Sequence, residues 1–254
     1  MISITRCCVG VLAGLVMASA CGSDGQSSRS DADVTVFAAA SLSAAFTELG
    51  EAFMAAEPDV DVTFNFAGSS DLVAQITEGA PVDVCASADL ANMAKLTDAG
   101  LDADEPVVFA TNAAEIMVEA GNPKGIVSVA GLADDDLVVV QCAPEVPCGA
   151  YAAQVFASAG VSVAPKSFES SVSGVVAKVT LGEADAGIVY RTDVLAAGDR
   201  AAGVPIPAEI NVVAEYPIAI TASASDPLEA ARFIEFVLSE AGQAILASYG
   251  FGAP

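Results

Sequence analysis

The chain contains no histidine and no tryptophan, and only 9 Lys and Arg stand against 33 Asp and Glu in its 254 residues. Without an imidazole, Ser-His-Asp triads, Cys-His pairs and His-ligated zinc are all excluded. The shortage of bases leaves a formal charge of −24. Nucleic-acid phosphates would be repelled by such a surface, and so would an anionic membrane. Beyond the N-terminus no apolar run approaches the roughly 20 residues that a membrane-spanning helix needs. A serine enzyme would have to use a lysine or a carboxylate as base. None of Lys95, Lys124, Lys166 and Lys178 stands in a Ser-x-x-Lys pattern, and no G-x-S-x-G turn occurs. An enzyme is therefore not expected. What the chain has in quantity is apolar: 54% hydrophobic residues. That supplies a core for one large domain or two of ordinary size, and it excludes a disordered or collagen-like chain.

Residues 1–20 read as an export signal: Arg6, an apolar run from Val9 to Val16, then Ala18-Ser19-Ala20 before Cys21. Small residues ending at a cysteine resemble a bacterial lipoprotein cleavage box, with Ala18 where Leu is commoner. The alternatives are an ordinary secretory signal or a short membrane anchor. The segment that follows, 21–32, is rich in Gly, Ser and Asp and reads as a flexible tether. The expected protein is thus exported and held at the outer face of the cytoplasmic membrane by lipid on Cys21.

Cys7 and Cys8 leave with the signal, so three cysteines face an oxidising compartment: Cys85, Cys142 and Cys148. The stretch QCAPEVPCG spans a short loop with Pro144 and Pro147, which suits a Cys142–Cys148 disulfide. A metal site is the rival for this pair, weakened by the lack of further ligands nearby. Cys85, inside PVDVCAS, reads as a buried free thiol.

The body repeats a strand–turn–helix plan. Val34 to Ala38 reads as a buried strand, and Leu42, Phe46, Leu49 and Phe53 follow at helical spacing up to Pro58. Val60, Val62, Phe64 and Phe66 alternate as a strand, Ala67 to Asp71 turns, and a short helix is expected from Leu72 to Glu78. A third unit runs from Val82 through Ser87 to a helix over 89–98, closed by Gly100. A second set begins with a strand at Leu137 to Val140, the two-cysteine loop and a helix from Tyr151 to Ala159. Val172 opens another helix, Ala186 to Tyr190 is a strand, Ile218 to Ile220 is a strand, and Asp226-Pro227 caps a helix. This rhythm predicts an α/β fold with mostly parallel sheets flanked by helices.

Ligands in open α/β sheets bind beyond the carboxyl ends of strands, where helix N-termini favour anions. The turns there carry Ser41, Ser69-Ser70, Ser87 and Ser170-Ser171, and no Lys or Arg. Taken singly, each serine reads as a helix N-cap. Taken together, they suit a neutral cradle of N–H and O–H donors around a deprotonated anion.

In order along the chain, VTVFAAASL (34–42), FAGSSDLVAQITEGAPVDV (66–84), SAD (87–89), PEVPCGAYA (144–152), GIVYRTDV (187–194), EYPIAI (215–220) and YGF (249–251) resemble the periplasmic molybdate-binding proteins of molybdate ABC transporters. The likeness covers most of 33–251 and is weaker around 102–136 and 196–213. It implies a type II periplasmic binding protein: two lobes joined by a hinge and closing on one ligand. Lobe I would comprise 33–112 plus 219–254, and lobe II 113–218. It also implies that molybdate or tungstate is held by hydrogen bonds alone. Ser41 and Ser69 would donate through hydroxyl and backbone N–H, Cys148 and Val172 through backbone N–H, and Tyr190 through its hydroxyl. Relatives often have Ala at the position of Cys148. No cofactor is implied, and molybdenum enters only as its oxyanion, never as a bare cation. The implied partner is an ABC permease, and the implied state is a monomer. The alternative is the same fold tuned to sulfate or a small organic anion.

Overall fold

A computed structural model describes residues 32–254. The export signal, Cys21 and all but the last residue of the tether lie outside the described residues. Ala32, assigned to the tether from sequence, opens the first strand.

β1 (Ala32–Ala39) runs into a 3-10 turn at Ala40–Leu42 and then α1 (Ser43–Ala56). α1 follows from its stripe: Phe46, Leu49 and Phe53 are buried, and Phe53 meets Phe233 edge to face at 5.5 Å. Such a pair adds about 0.5–1.5 kcal/mol to area burial. β2 (Val60–Ala67), α2 (Ser69–Thr77), β3 (Val84–Ala86) and α3 (Leu90–Asp98) complete the first set. The long strand β4 (Val107–Glu119) leads to β5 (Val140–Cys142), α4 (Pro147–Ala159), β6 (Ser167–Glu169), α5 (Val172–Thr180) and β7 (Ala186–Tyr190). α6 (Arg191–Ala197), β8 (Ala201–Pro205), β9 (Val213–Ile220), α7 (Pro227–Leu238) and α8 (Glu240–Ser248) finish the chain.

Six strands pair in the order β2-β1-β3-β9-β4-β7, with β8 on β4, while β5 and β6 form a separate pair. β1 is parallel to β2 and β3, and β5 is parallel to β6. Every pairing of β4 and β9 is antiparallel, a reversal that the strand–helix rhythm does not foretell. β4 changes partners midway. Val107 to Ala113 pair with β9, whereas Ala114 to Glu119 lie between β7 and β8.

Several boundaries differ from the sequence expectation. α2 begins at Ser69 rather than Leu72, and α4 at Pro147 rather than Tyr151. Ser69 and Cys148 therefore sit in first helical turns, where backbone N–H groups have no intrahelical partner. The strand expected at Leu137–Val140 lies at Val140–Cys142. Val139, just before it, makes a single bridge to Ala186, and the pairing with β6 begins at Val140. Asp226 does cap α7, accepting the backbone N–H of Glu229, with Pro227 at the first helical position.

Candidate functional site

Six chain reversals meet at the carboxyl ends of the strands. The turns after β1, β2 and β3 bring Ser41, Gly68-Ser69 and Ala88. The turns after β5, β6 and β7 bring Val146-Pro147-Cys148, Val172 and Tyr190. Together they line one pocket with about 190 Å³ of empty space including its mouth, and no charged side chain is among its walls. The five residues singled out from sequence thus stand side by side. Ser70, Ser87, Ser170 and Ser171 do not line it.

The serines are not caps. Leu42, Gly68 and Ser171 precede α1, α2 and α5, and none of the three helices has a side-chain cap. The hydroxyls are engaged otherwise. Ser69 Oγ accepts the backbone N–H of Ala88 at 3.0 Å, which leaves its own proton for the pocket. Ser41 Oγ lies 3.0 Å from the hydroxyl of Tyr216. Tyr190 is 2% exposed, and its hydroxyl has no hydrogen-bond partner among the described residues. Burial, then the neighbouring Tyr216, Tyr151, Asp193 and Asp89, hold that hydroxyl well above the usual tyrosine range. It is a donor at any physiological pH. A buried polar group without a partner is rare and costly. Here it points to a guest that accepts.

Three helices aim at the same space. Ser69 opens α2, Cys148 is the second residue of α4, and Val172 opens α5. Their orphan N–H groups and the positive ends of the helix dipoles favour an anion. Every member of the assembled set can donate, and none carries a charge.

Turns from different strands come close together beside the pocket. A Cβ on Gly68 would overlap the backbone oxygen of Ser170, beside Val146. On the same side, Asn92 Nδ2 donates to the backbone oxygen of Glu145 at 3.4 Å.

Cys142 and Cys148 are joined as a disulfide, with Cα atoms 5.7 Å apart, tying the end of β5 to the first turn of α4. Gly149 fits beneath it, since a Cβ there would overlap the backbone oxygens of Ala143 and Cys142. The crosslink fixes the loop that carries the Cys148 N–H, and a ligand held there would meet a lower ordering cost. The double change Cys142→Ala/Cys148→Ala should cost about 2 kcal/mol of stability by loop entropy. Ligand affinity should fall about threefold to tenfold with the fold retained, as titration calorimetry and circular dichroism would read. Unchanged affinity would show that the crosslink serves stability alone. Cys85 is a free, buried thiol, pushed up to about 12 by burial.

Sequence reasoning missed three neighbours of the pocket. Tyr216 and Gly68 lie inside recognised segments but had no role, and Asn112 was not singled out. A lone amide in the apolar run of β4 was the available signal. Asp193, in α6, was also missed. It accepts the Tyr190 backbone N–H at 2.9 Å. Burial raises its carboxyl from 3.8 to about 7, against the lowering effect of that N–H. Between those values the folded protein keeps a proton that the unfolded chain has lost. Stability therefore falls as pH rises through that interval. Asp193→Asn keeps an oxygen for the Tyr190 N–H and should flatten this slope. The difference is bounded by about 4 kcal/mol for full burial and is smaller for this half-buried group. Urea midpoints from pH 4 to 8 measure it, and an unchanged slope would assign the pH dependence elsewhere.

A mixed sheet with strand ends and helix N-termini converging on one uncharged pocket defines a solute-binding protein of the type II periplasmic class. The chain belongs to the bacterial extracellular solute-binding protein family, whose pattern matches residues 34–252. The molybdate-binding protein ModA of Mycobacterium tuberculosis is 44% identical over 250 residues, covering 96% of this chain and 95% of that protein. ModA of Haemophilus influenzae is 30% identical over 238 residues, covering 90% and 93%. The fold matches that of the Azotobacter vinelandii periplasmic molybdate-binding protein with a TM-score of 0.75, at 22% identity, covering 87% of this chain and 99% of that one. Like these relatives, the chain is a binding protein rather than an enzyme. No helix among the described residues is long and apolar enough to cross a membrane.

Proposed function

We propose that the protein captures molybdate, and tungstate in the same way, and delivers it to an ABC permease in the cytoplasmic membrane. The observation that carries this reading is the buried, unpartnered hydroxyl of Tyr190, a residue that lines one pocket with two serines and three helix N-termini and without a charged side chain. The names and 44% identity of the mycobacterial relatives supply the ligand. Ser41, Ser69 and Tyr190 donate through hydroxyls; Ser41, Ser69, Cys148 and Val172 donate through backbone N–H groups. A site of donors alone holds a fully deprotonated dianion. Hydrogen phosphate brings an O–H that finds no acceptor, and the mismatch excludes it.

Two lobes, 33–112 plus 219–254 and 113–218, close on the ligand. Support for this division comes from β4, which exchanges β9 for β7 and β8 between Ala113 and Ala114. The protein works as a monomer tethered outside the membrane through lipid on Cys21.

The test is thermal unfolding of the form starting after Cys21 against molybdate, tungstate, sulfate and phosphate. A ligand at a hundred times its dissociation constant stabilises by about 2.7 kcal/mol. For a body of this size that is a rise of roughly 5–10 °C. A rise with molybdate and tungstate alone supports the assignment. A rise with sulfate or none at all overturns it.

A further inference from the structure

The proton on Ser41 is directed by residues outside the pocket. Asn112, on β4, is 4% exposed, and its Oδ1 accepts the backbone N–H of Ala113 at 3.0 Å. Only a carbonyl oxygen can meet that N–H, so the amide has a single orientation. Its Nδ2 hydrogens then point to Thr192 Oγ1 at 2.9 Å and to the Tyr216 oxygen at 3.4 Å. Tyr216, on β9, is fully buried. Because its oxygen accepts from Asn112, its one proton goes to the other polar atom in reach, Ser41 Oγ at 3.0 Å. Leaving that proton unmatched in the core would be the costlier arrangement. Burial holds Tyr216 far above the usual tyrosine range, so the proton stays on its oxygen. Ser41 then spends no proton on Tyr216, and its own O–H stays free for the pocket.

We propose that Asn112 and Tyr216 are positioning residues that keep the Ser41 proton free, so that Ser41 donates to an oxyanion in the pocket. The inference rests on the oxyanion reading above and deepens it. Ser69 reaches the same state by a different route, accepting the Ala88 backbone N–H. The Ser41 lock is built from side chains instead. It runs from the turn after β1, through β9 and β4, to Thr192, two residues beyond Tyr190. Substitution can therefore reverse it.

Asn112→Asp keeps an oxygen for Ala113 N–H but offers Tyr216 an acceptor. The Tyr216 proton turns to residue 112, Ser41 must donate to Tyr216, and a lone pair faces the anion. Molybdate affinity should fall by about 100-fold or more, the scale of a charge-assisted hydrogen bond turned unfavourable. Tyr216→Phe frees Ser41 to rotate. Affinity should fall about tenfold, because the Ser41 hydroxyl is no longer held in place by a donor from Tyr216. The charge added by Asn112→Asp is separated from its effect on the relay by the double variant Asn112→Asp/Tyr216→Phe. Tyr216→Phe already cuts the relay, so in that background Asn112→Asp should cost about tenfold less than in the wild type. Titration calorimetry on the four proteins, with molybdate as the ligand, reads all of this. Thermal unfolding checks that each is folded. If the Asn112→Asp variant does not fold, Asn112→Ala replaces it, and its cost should likewise shrink in the Tyr216→Phe background. Equal costs in both backgrounds overturn the relay and leave the receptor reading intact. A wild type that binds neither molybdate nor tungstate overturns both.

Discussion

Gly68→Ala is expected to abolish tight capture while leaving the unliganded protein folded. The residue sits at φ −61° and ψ 139°, a conformation open to any amino acid. Alanine there costs the local backbone nothing, and it removes freedom from the unfolded chain worth about 0.4–1 kcal/mol. The obstacle is elsewhere: the new Cβ would overlap the Ser170 backbone oxygen, with a Val146 methyl 3.5 Å away. Gly68 follows β2, and Ser170 follows β6, on the other proposed lobe. A backbone carbonyl at the start of α5 cannot swing aside as a side chain does. Overpacking costs about 1–3 kcal/mol, and against fixed backbone the upper end applies, which is about 100-fold in affinity. Molybdate titration of the variant measures it, beside its melting temperature without ligand. Wild-type affinity would mean that capture does not need the two turns this close. A large fall in the ligand-free melting temperature would mean that the turns touch before any ligand arrives.

Tyr190→Phe should move affinity and stability in opposite directions. The Tyr190 hydroxyl is buried and unpartnered, so deleting it removes an unmet polar group from the ligand-free protein. That form should gain up to about 1 kcal/mol. The same deletion removes a donor to the anion, and a hydrogen bond to a charged group is worth about 1.5–3 kcal/mol, or roughly 10- to 150-fold in affinity. The ring remains, with its edge-to-face contacts to Tyr151 at 6.3 Å and Tyr216 at 5.9 Å, so packing is unchanged. Chemical denaturation without ligand and calorimetry with molybdate read the two effects separately. If both stability and affinity fall, the hydroxyl supports the fold rather than the ligand.

Much of the architecture was legible because local pattern determines local backbone. The stripe Phe46, Leu49, Phe53 has helical period and became the buried face of α1. Ala186 to Tyr190, five apolar or aromatic residues in a row, became a strand buried along its whole length. Gly160 closes α4 in the left-handed conformation, φ 64°. Boundaries failed where residue chemistry is ambiguous. Ser69 and Ser70 read as turn residues, as did Pro147 and Cys148, yet they are first-turn helical residues, and the free N–H groups beside the pocket depend on that difference. β4 escaped notice because its 13 residues mix small, polar and apolar side chains. Its pattern changes where its neighbours change, so no single period runs through it.

By itself the sequence determined the class of chemistry. It has no imidazole, and no basic residue in the serine-bearing turns. The segments around Ser41, Ser69, Cys148, Val172 and Tyr190 are those of a known family of oxyanion binders. Only the tertiary structure decided which serines line the pocket, which helix ends converge on it and what each hydroxyl meets. Ser41 and Tyr216 are 175 positions apart, and Asn112 reaches Tyr216 across 104. Hydrogen bonds at such separations leave no trace in spacing or periodicity, because they exist only once the strands have paired and fixed where each side chain ends.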